Sequence, residues 1–231
     1  MPSAPRTARA LARAELTRAI LERASAQLGE VGPAALSVRQ IARDLEMASS
    51  AVYRYFPSRD ALLTALLIRA FDDLGDAVEA GEASAAREDL RGRWTGLAHA
   101  LRDWAVAHPH EYALTYGSPV PGYAAPDDTV TSGTRVGGTL LALVRDAEAA
   151  GRSPAAPSRP PGPEEVAAIA PIRSFVGAEL DEAYAVRGLI AWATLFGHIS
   201  LELFGHMYRG VLDYDAHYAT VVGLLADDLG L

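Results

Sequence analysis

The chain has 231 residues, 50% of them hydrophobic, and no cysteine, which leaves room for a small head with a larger body and excludes a disulfide scaffold, a thiolate metal site and a cysteine nucleophile. Its formal charge is −8, but residues 1–70 carry ten arginines against six acidic side chains, whereas 71–231 carry eleven against 23. A basic head on an acidic body excludes little by its net sign, because such a head can meet phosphates while the rest stays in solution.

Ala, Leu, Glu and Arg dominate, at helical spacing throughout, so an all-α fold is predicted. The first helix runs from about Thr7 to Leu28, with Leu16, Ile20, Ala24 and Leu28 on one apolar stripe and Leu21 beside it; Gly29 and Gly32-Pro33 stop it. Ser37 caps a second helix, with Gln40 three residues on in capping-box spacing, and Val38, Ile41 and Leu45 form its buried face as far as Glu46. A third, short helix covers about Ser49 to Tyr55, burying Val52 and Phe56, and Pro57 ends it. Ser58 caps a fourth, with Asp60 in its first turn and Leu62, Leu63, Leu66, Leu67 and Phe71 along it towards Val78. Further helices are predicted at about 86–107, 109–116, 127–150, 164–177, 181–207 and 214–229. Gly117–Pro126 punctuates them, and Gly151–Pro163 reads as a flexible loop. The division expected is a DNA-binding domain over 1–58 and a larger helical domain over 59–231.

Two short helices joined by a tight turn make a helix-turn-helix pattern, whose second helix lies in the major groove, about 12 Å wide. With Val52 and Phe56 inward, Ser49, Ser50, Tyr53 and Arg54 face outward and Tyr55 sits at the edge. Small serines permit close approach, and Tyr and Arg reach phosphates or base edges. Arg6, Arg9 and Arg13 precede the apolar stripe and suit either an arm along the phosphates or a basic tail.

The run ALSVRQIARDLEMASSAVYRYFPSRDALLTALL resembles the N-terminal signature of the tetracycline-repressor (TetR/AcrR) family. The matching elements are Leu36-Ser37-Val38, Ile41-Ala42, the Ala51, Tyr53 and Phe56 core, and Ser58-Arg59-Asp60-Ala61-Leu62-Leu63. The resemblance covers about residues 10–70 and implies DNA contacts. Ser37 and Arg39 match phosphate-contacting positions, Ser49 and Ser50 base-facing ones, Tyr53 and Tyr55 phosphate-contacting aromatics, and Arg59 a basic residue that grips the backbone. Two positions depart from the family pattern. Glu46 stands where Gly is common, in a turn that needs a left-handed backbone, and Ala48 stands at a cap that is commonly Ser, which leaves Ser49 to cap the helix instead.

The resemblance also implies a homodimer, a double-stranded DNA operator and a small-molecule effector held in the helical body. The segment from Trp104 to Tyr123 resembles the C-terminal domain of one subgroup, named for a Trp-His-Gly motif, with Trp192-Ala-Thr-Leu-Phe196-Gly197 as the motif's counterpart and Phe196 where His is usual. An effector pocket lined by aromatics would draw on Trp104, Tyr112, Tyr116, Phe175, Trp192 and Phe196; the same side chains also read as core. Leu189, Leu195, Ile199 and Leu203, with Tyr218, Val222 and Leu225, supply the apolar faces expected to pair between copies as a four-helix bundle.

His198, Glu202 and His206 fall at i, i+4 and i+8 on one predicted helix, a spacing that also suits metal ligands. A polar stripe is preferred, and no cofactor or metal is expected. No H-E-x-x-H, P-loop, G-x-S-x-G or dinucleotide glycine pattern occurs, so an enzyme is not expected. The alternative is a helical protein with a metal-dependent or interaction role. No run of eighteen apolar residues is present, and the start of the chain lacks the apolar stretch of a signal peptide. A cytoplasmic, membrane-free protein is expected.

Overall fold

The computed structural model describes residues 8–155, 160–175 and 180–231. Arg6 and Thr7, part of the Gly151–Pro163 loop and the last two residues of the helix predicted at 164–177 lie outside them. Twelve α-helices and no strand occur among the described residues: α1 Ala8–Val31, α2 Val38–Asp44, α3 Ser49–Val52, α4 Arg59–Glu82, α5 Leu90–Ala107, α6 Pro109–Tyr116, α7 Val130–Gly133, α8 Arg135–Ala149, α9 Pro163–Ala168, α10 Ala170–Phe175, α11 Glu182–Leu203 and α12 Tyr214–Leu229. The all-α fold is thus as expected.

Two compact units share the chain. One holds the described residues up to Ala70 together with His110–Val130; the other holds Phe71–Pro109 and the described residues from Thr131 onward. Helix α4 belongs to both. In the first unit Ile20, Ala24 and Leu28 of α1, Val38 and Ile41 of α2, Val52 of α3, and Leu62, Leu63 and Leu66 of α4 form one core. Val120 is buried in that core and Leu114 and Tyr123 pack against it, with the Tyr123 hydroxyl 3.0 Å from Thr64 Oγ1. Leu16, predicted on the buried stripe, is exposed. The covered face of α1 among the described residues starts only at Ile20.

In the second unit α11 packs on α8, α12 and α5, and α5 also packs on α8 and α12. Leu97, Leu101, Leu143, Val144, Leu195, Ile199, Tyr218 and Val222 are among its fully or nearly fully buried side chains. Tyr218 donates to the Ala98 carbonyl at 2.9 Å, and the Trp94 indole donates to the Val222 carbonyl at 2.9 Å. Buried polar tips are thereby satisfied while their rings fill the core.

Leu195, Ile199, Tyr218 and Val222 were expected to face a second copy; each is instead core of its own chain. Helix α11 is apolar nearly all round, so its periodicity offers two faces and does not say which turns inward. The outward line is Ile190, Ala193, Thr194, Gly197, Leu201 and Phe204, with Leu224 on α12. The helix predicted over 127–150 divides into a 3-10 turn at Asp127–Thr129, α7 and α8. The one starting at 164 divides into α9 and α10 at Ile169.

Candidate nucleic-acid interface and effector cavity

The head is set up by hydrogen bonds that cross between its helices. Ser37 caps α2, its Oγ accepting from the Gln40 backbone N–H at 3.3 Å. The reciprocal half of the capping box is not made by Gln40. Gln27 of α1, itself buried, accepts the Ser37 N–H at 2.7 Å, while Gln40 turns to Asp44 at 2.6 Å and accepts from Arg43. At the other end of α2, Arg23 of α1 holds Asp44 at 2.6 Å and Glu30 at 2.9 Å, which keeps both carboxyls below the usual carboxylate range. Gln27 and Arg23 therefore fix both ends of α2 against α1. Sequence reading missed both. The available signal was a glutamine seven residues after Ile20, on the buried face of an amphipathic helix.

Glu46 adopts φ 55°, the left-handed turn anticipated at that position. Ala48 is the N-cap of α3 and offers no side-chain bond; Ser49 is the first helical residue and does not cap. This corrects the expectation for Ser49, because the Ala48 backbone already has extended geometry and its carbonyl accepts from the Ala51 N–H at 2.8 Å. The α-helical part of the recognition segment is only Ser49–Val52, with a turn through Tyr53, Arg54 and Tyr55. Val52 and Phe56 are buried as predicted. Ser50, Tyr53, Arg54 and Arg39 are exposed, and Ser49 and Ser37 are half-buried. The side chains of Arg39, Ser49, Ser50 and Arg54 have no partner among the described residues. Tyr55 is half-buried against the head core, with the Arg13 guanidinium 5.1 Å above its ring. Arg59 donates to the Pro33 and Ala34 carbonyls at 2.7 and 3.1 Å. Arg9 is exposed.

This is the head of a helix-turn-helix DNA-binding protein: a stiff pair of crossed helices presenting small hydroxyls, one exposed tyrosine and unpaired arginines on one side.

Within the second unit lies a cavity of about 280 Å³ lined by Gly133, Thr134, Gly137, Leu140, Leu141, Ile172, Phe175, Gly188, Leu189 and Trp192. None of these side chains is charged. The volume is near the low end of ligand pockets, roughly 300–1,000 Å³. Of the six aromatics predicted to line a pocket, Phe175 and Trp192 do so. Phe196 is buried and stacks at a tilt on Trp192, 5.0 Å between centroids. Trp104 is buried against His108, and Tyr112 and Tyr116 pair in the unit that contains the head. Burial pushes the Tyr116 hydroxyl above its ordinary pKa, with Tyr112 adding to the shift.

The predicted His198, Glu202, His206 stripe does not form. Helix α11 ends at Leu203, and His206 is exposed in the turn beyond it. Glu202 is held by Arg102 in two bonds of 2.8 Å, and Arg102 also reaches Asp215 at 2.8 Å. His198 is buried, with neither ring nitrogen hydrogen-bonded. Among the described residues no three His, Cys, Asp or Glu side chains gather as metal ligands, and no helix is long and apolar enough to cross a membrane.

Comparison with known proteins takes the class further. Residues 20–66 match the family of bacterial regulatory proteins of the tetR family, and residues 94–225 match the tetracyclin repressor-like C-terminal domain. The HTH-type transcriptional regulators Rv1816 of Mycobacterium tuberculosis and Mb1846 of Mycobacterium bovis are each 38% identical to the chain over 222 residues, 94% of both lengths. A crystal structure of the protein SCO4313 is 31% identical and superposes with a TM-score of 0.78 over 96% of this chain and 98% of that one. A protein of unknown function from Rhodococcus sp. RHA1 is 28% identical, with a TM-score of 0.71 over 94% and 96%. The chain belongs to the TetR family of transcription regulators.

Proposed function

We propose that the protein is a homodimeric repressor, working in the cytoplasm, that leaves a palindromic operator when a small apolar or aromatic effector binds. Residues 1–58 act as the DNA-binding domain and 59–231 as the effector-binding and dimerisation domain. The observation that carries this reading is the exposed face of α2 and α3, where Arg39, Ser49, Ser50 and Arg54 have polar groups with no partner among the described residues beside the exposed Tyr53. Polar groups left open on a rigid scaffold suit phosphates and base edges.

Ser37, Arg39, Tyr53, Tyr55 and Arg59 serve the backbone, and Ser49, Ser50 and Arg54 serve the bases. Arg59 spends one nitrogen on the Pro33 and Ala34 carbonyls and reaches phosphate with its others. The effector occupies the uncharged cavity against Phe175 and Trp192. Its ligand is neutral where it is enclosed, because a buried charge there would find no counter-charge in the lining.

Selection of bound duplexes from random DNA tests the reading. A palindromic sequence is expected. Tyr53→Ala should then weaken binding roughly tenfold, about 1.4 kcal/mol, on every sequence alike. Ser49→Ala or Ser50→Ala should change which base is preferred. Recovery of no sequence, or equal binding by wild type and Tyr53→Ala, sinks the docking.

A further inference from the structure

Helix α8 forms one wall of the cavity through Gly137, Leu140 and Leu141, and it is fastened to α4 at both ends. Near its C-terminus the fastening centres on a buried arginine, and the exposed Arg87 joins the same two carboxylates, Asp146 at 2.6 Å and Glu82 at 3.1 Å. Arg93 of α5, 1% exposed, bonds Asp146 of α8 at 2.8 Å and Glu82 of α4 at 2.6 Å. At its N-terminus the fastening is Arg135, which is part-exposed. Its Nε and Nη2 grip Glu79 at 2.9 and 2.8 Å, Nη2 also reaches Asp76 at 2.6 Å, and Nη1 donates to the Asp72 carbonyl at 3.0 Å.

These contacts span two turns of α4, and the guanidinium lies over Gly75, which has no side chain to meet it. A Cβ there would come within 2.8 Å of Arg135 Cζ. Immediately before Arg135, Gly133 and Thr134 line the cavity, and the Cβ position of Gly133 is 3.4 Å from the Phe71 ring of α4. The cavity wall thus sits between an anchor held by the buried Arg93 and a part-exposed, multi-pronged clamp of Arg135 on the more exposed Asp76 and Glu79. A ligand that displaces Gly137–Leu141 swings α8 about the anchor, and the swing is delivered at the clamp.

We propose that Arg135, seated on Gly75, is the positioning residue that couples occupancy of the cavity to α4, the helix that continues into the head. The proposal rests on the cavity being the effector site. A fixed anchor and a screened ion cluster make a two-state joint, because exposed pairs are weak enough to re-form in a shifted register.

The test measures affinity for the duplex recovered by selection, with and without the neutral fluorescent probe N-phenyl-1-naphthylamine, whose own binding is followed by fluorescence. In wild type the saturating probe is expected to change DNA affinity by at least about fivefold, the lower end of ordinary coupling. In Arg135→Gln and in Gly75→Ala the probe should bind as in wild type while its effect on DNA affinity falls below about twofold. Arg135→Lys should recover part of the effect, since it keeps the charge and loses the fork.

Gly75→Ala separates coupling from mere support. Alanine favours helix, so its melting temperature should match or exceed wild type although the guanidinium is pushed off α4. Gly137→Leu, pointing into open space, should abolish probe binding and leave the fold intact. Unchanged coupling in both Arg135→Gln and Gly75→Ala overturns the proposal while leaving the cavity reading standing. A wild type that does not bind the probe overturns the cavity reading and this proposal with it.

Discussion

At Glu46 the chain accepts a left-handed backbone with φ 55° at a residue that disfavours it. The penalty for an L-residue with a Cβ is about 1–2 kcal/mol, and glycine removes it while adding disorder to the unfolded chain. Glu46→Gly is therefore expected to raise stability by about 1 kcal/mol in urea unfolding; an unchanged or lowered midpoint would show that the turn is not strained. This position was legible in the sequence, because the motif around it has fixed order and Glu46 departs from it. Gln27 was not legible in the same way. Its partner, the Ser37 N–H, lies ten residues on and meets it only after α1 and α2 cross. The sequence offered a cap at Ser37 and a plausible local partner in Gln40, and the tertiary partner displaced the local one.

At the level of the elements, helix starts were more legible than helix breaks or faces, since the helices predicted over 127–150 and from 164 are each divided. The cap read at Ser37 placed α2, and the start predicted at about 214 is where α12 begins, capped by Asp213. The inward side of α11 could not be read, since apolar residues cover most of it. His198 shows the consequence: it reads as a polar mark, yet it turns inward against Tyr218 and His217 of α12, 5.1 Å from each ring. Arg102 of α5 and Glu202 of α11 are charged groups that act on it, and Arg102 is itself bonded to Asp215 of α12.

Burial, then His217, lowers the His198 pKa below its ordinary value, with Arg102 acting the same way and Glu202 opposing. In the unfolded chain this histidine binds a proton near pH 6.5, and in the folded chain it does not until lower pH. The unfolded state thus holds more protons in that window, so stability falls as pH drops below about 6.5, by at most about 1.4 kcal/mol per pH unit. His198→Leu should flatten this part of the profile in thermal melts between pH 7 and 5. An identical slope in the variant would assign the acid sensitivity to other groups.

For the whole molecule, the charge partition and the outward line of α11 point the same way. A basic head held on a strongly acidic remainder has little reason to bind DNA tightly alone, since each phosphate contact is screened by salt. Two heads held together gain by effective concentration, which commonly raises affinity by about 10²–10⁴. For the proposed dimer, an exposed apolar line suited to holding two heads is Ile190, Gly197, Leu201 and Phe204, where Ile190 is 49% and Leu201 44% exposed. Gly197 has no heavy atom within 4 Å of its Cβ position, so a facing helix can approach closely there. Placing a carboxylate at Ile190 and another at Leu201 costs the single chain little, because both are already half in water, but it sets like charges against each other across any symmetric contact. Ile190→Asp with Leu201→Asp is therefore expected to sediment as a folded monomer and to bind the selected duplex at least about a hundredfold more weakly than wild type. A variant that stays dimeric would move the interface elsewhere, and a monomer that binds as tightly as wild type would mean that one head suffices.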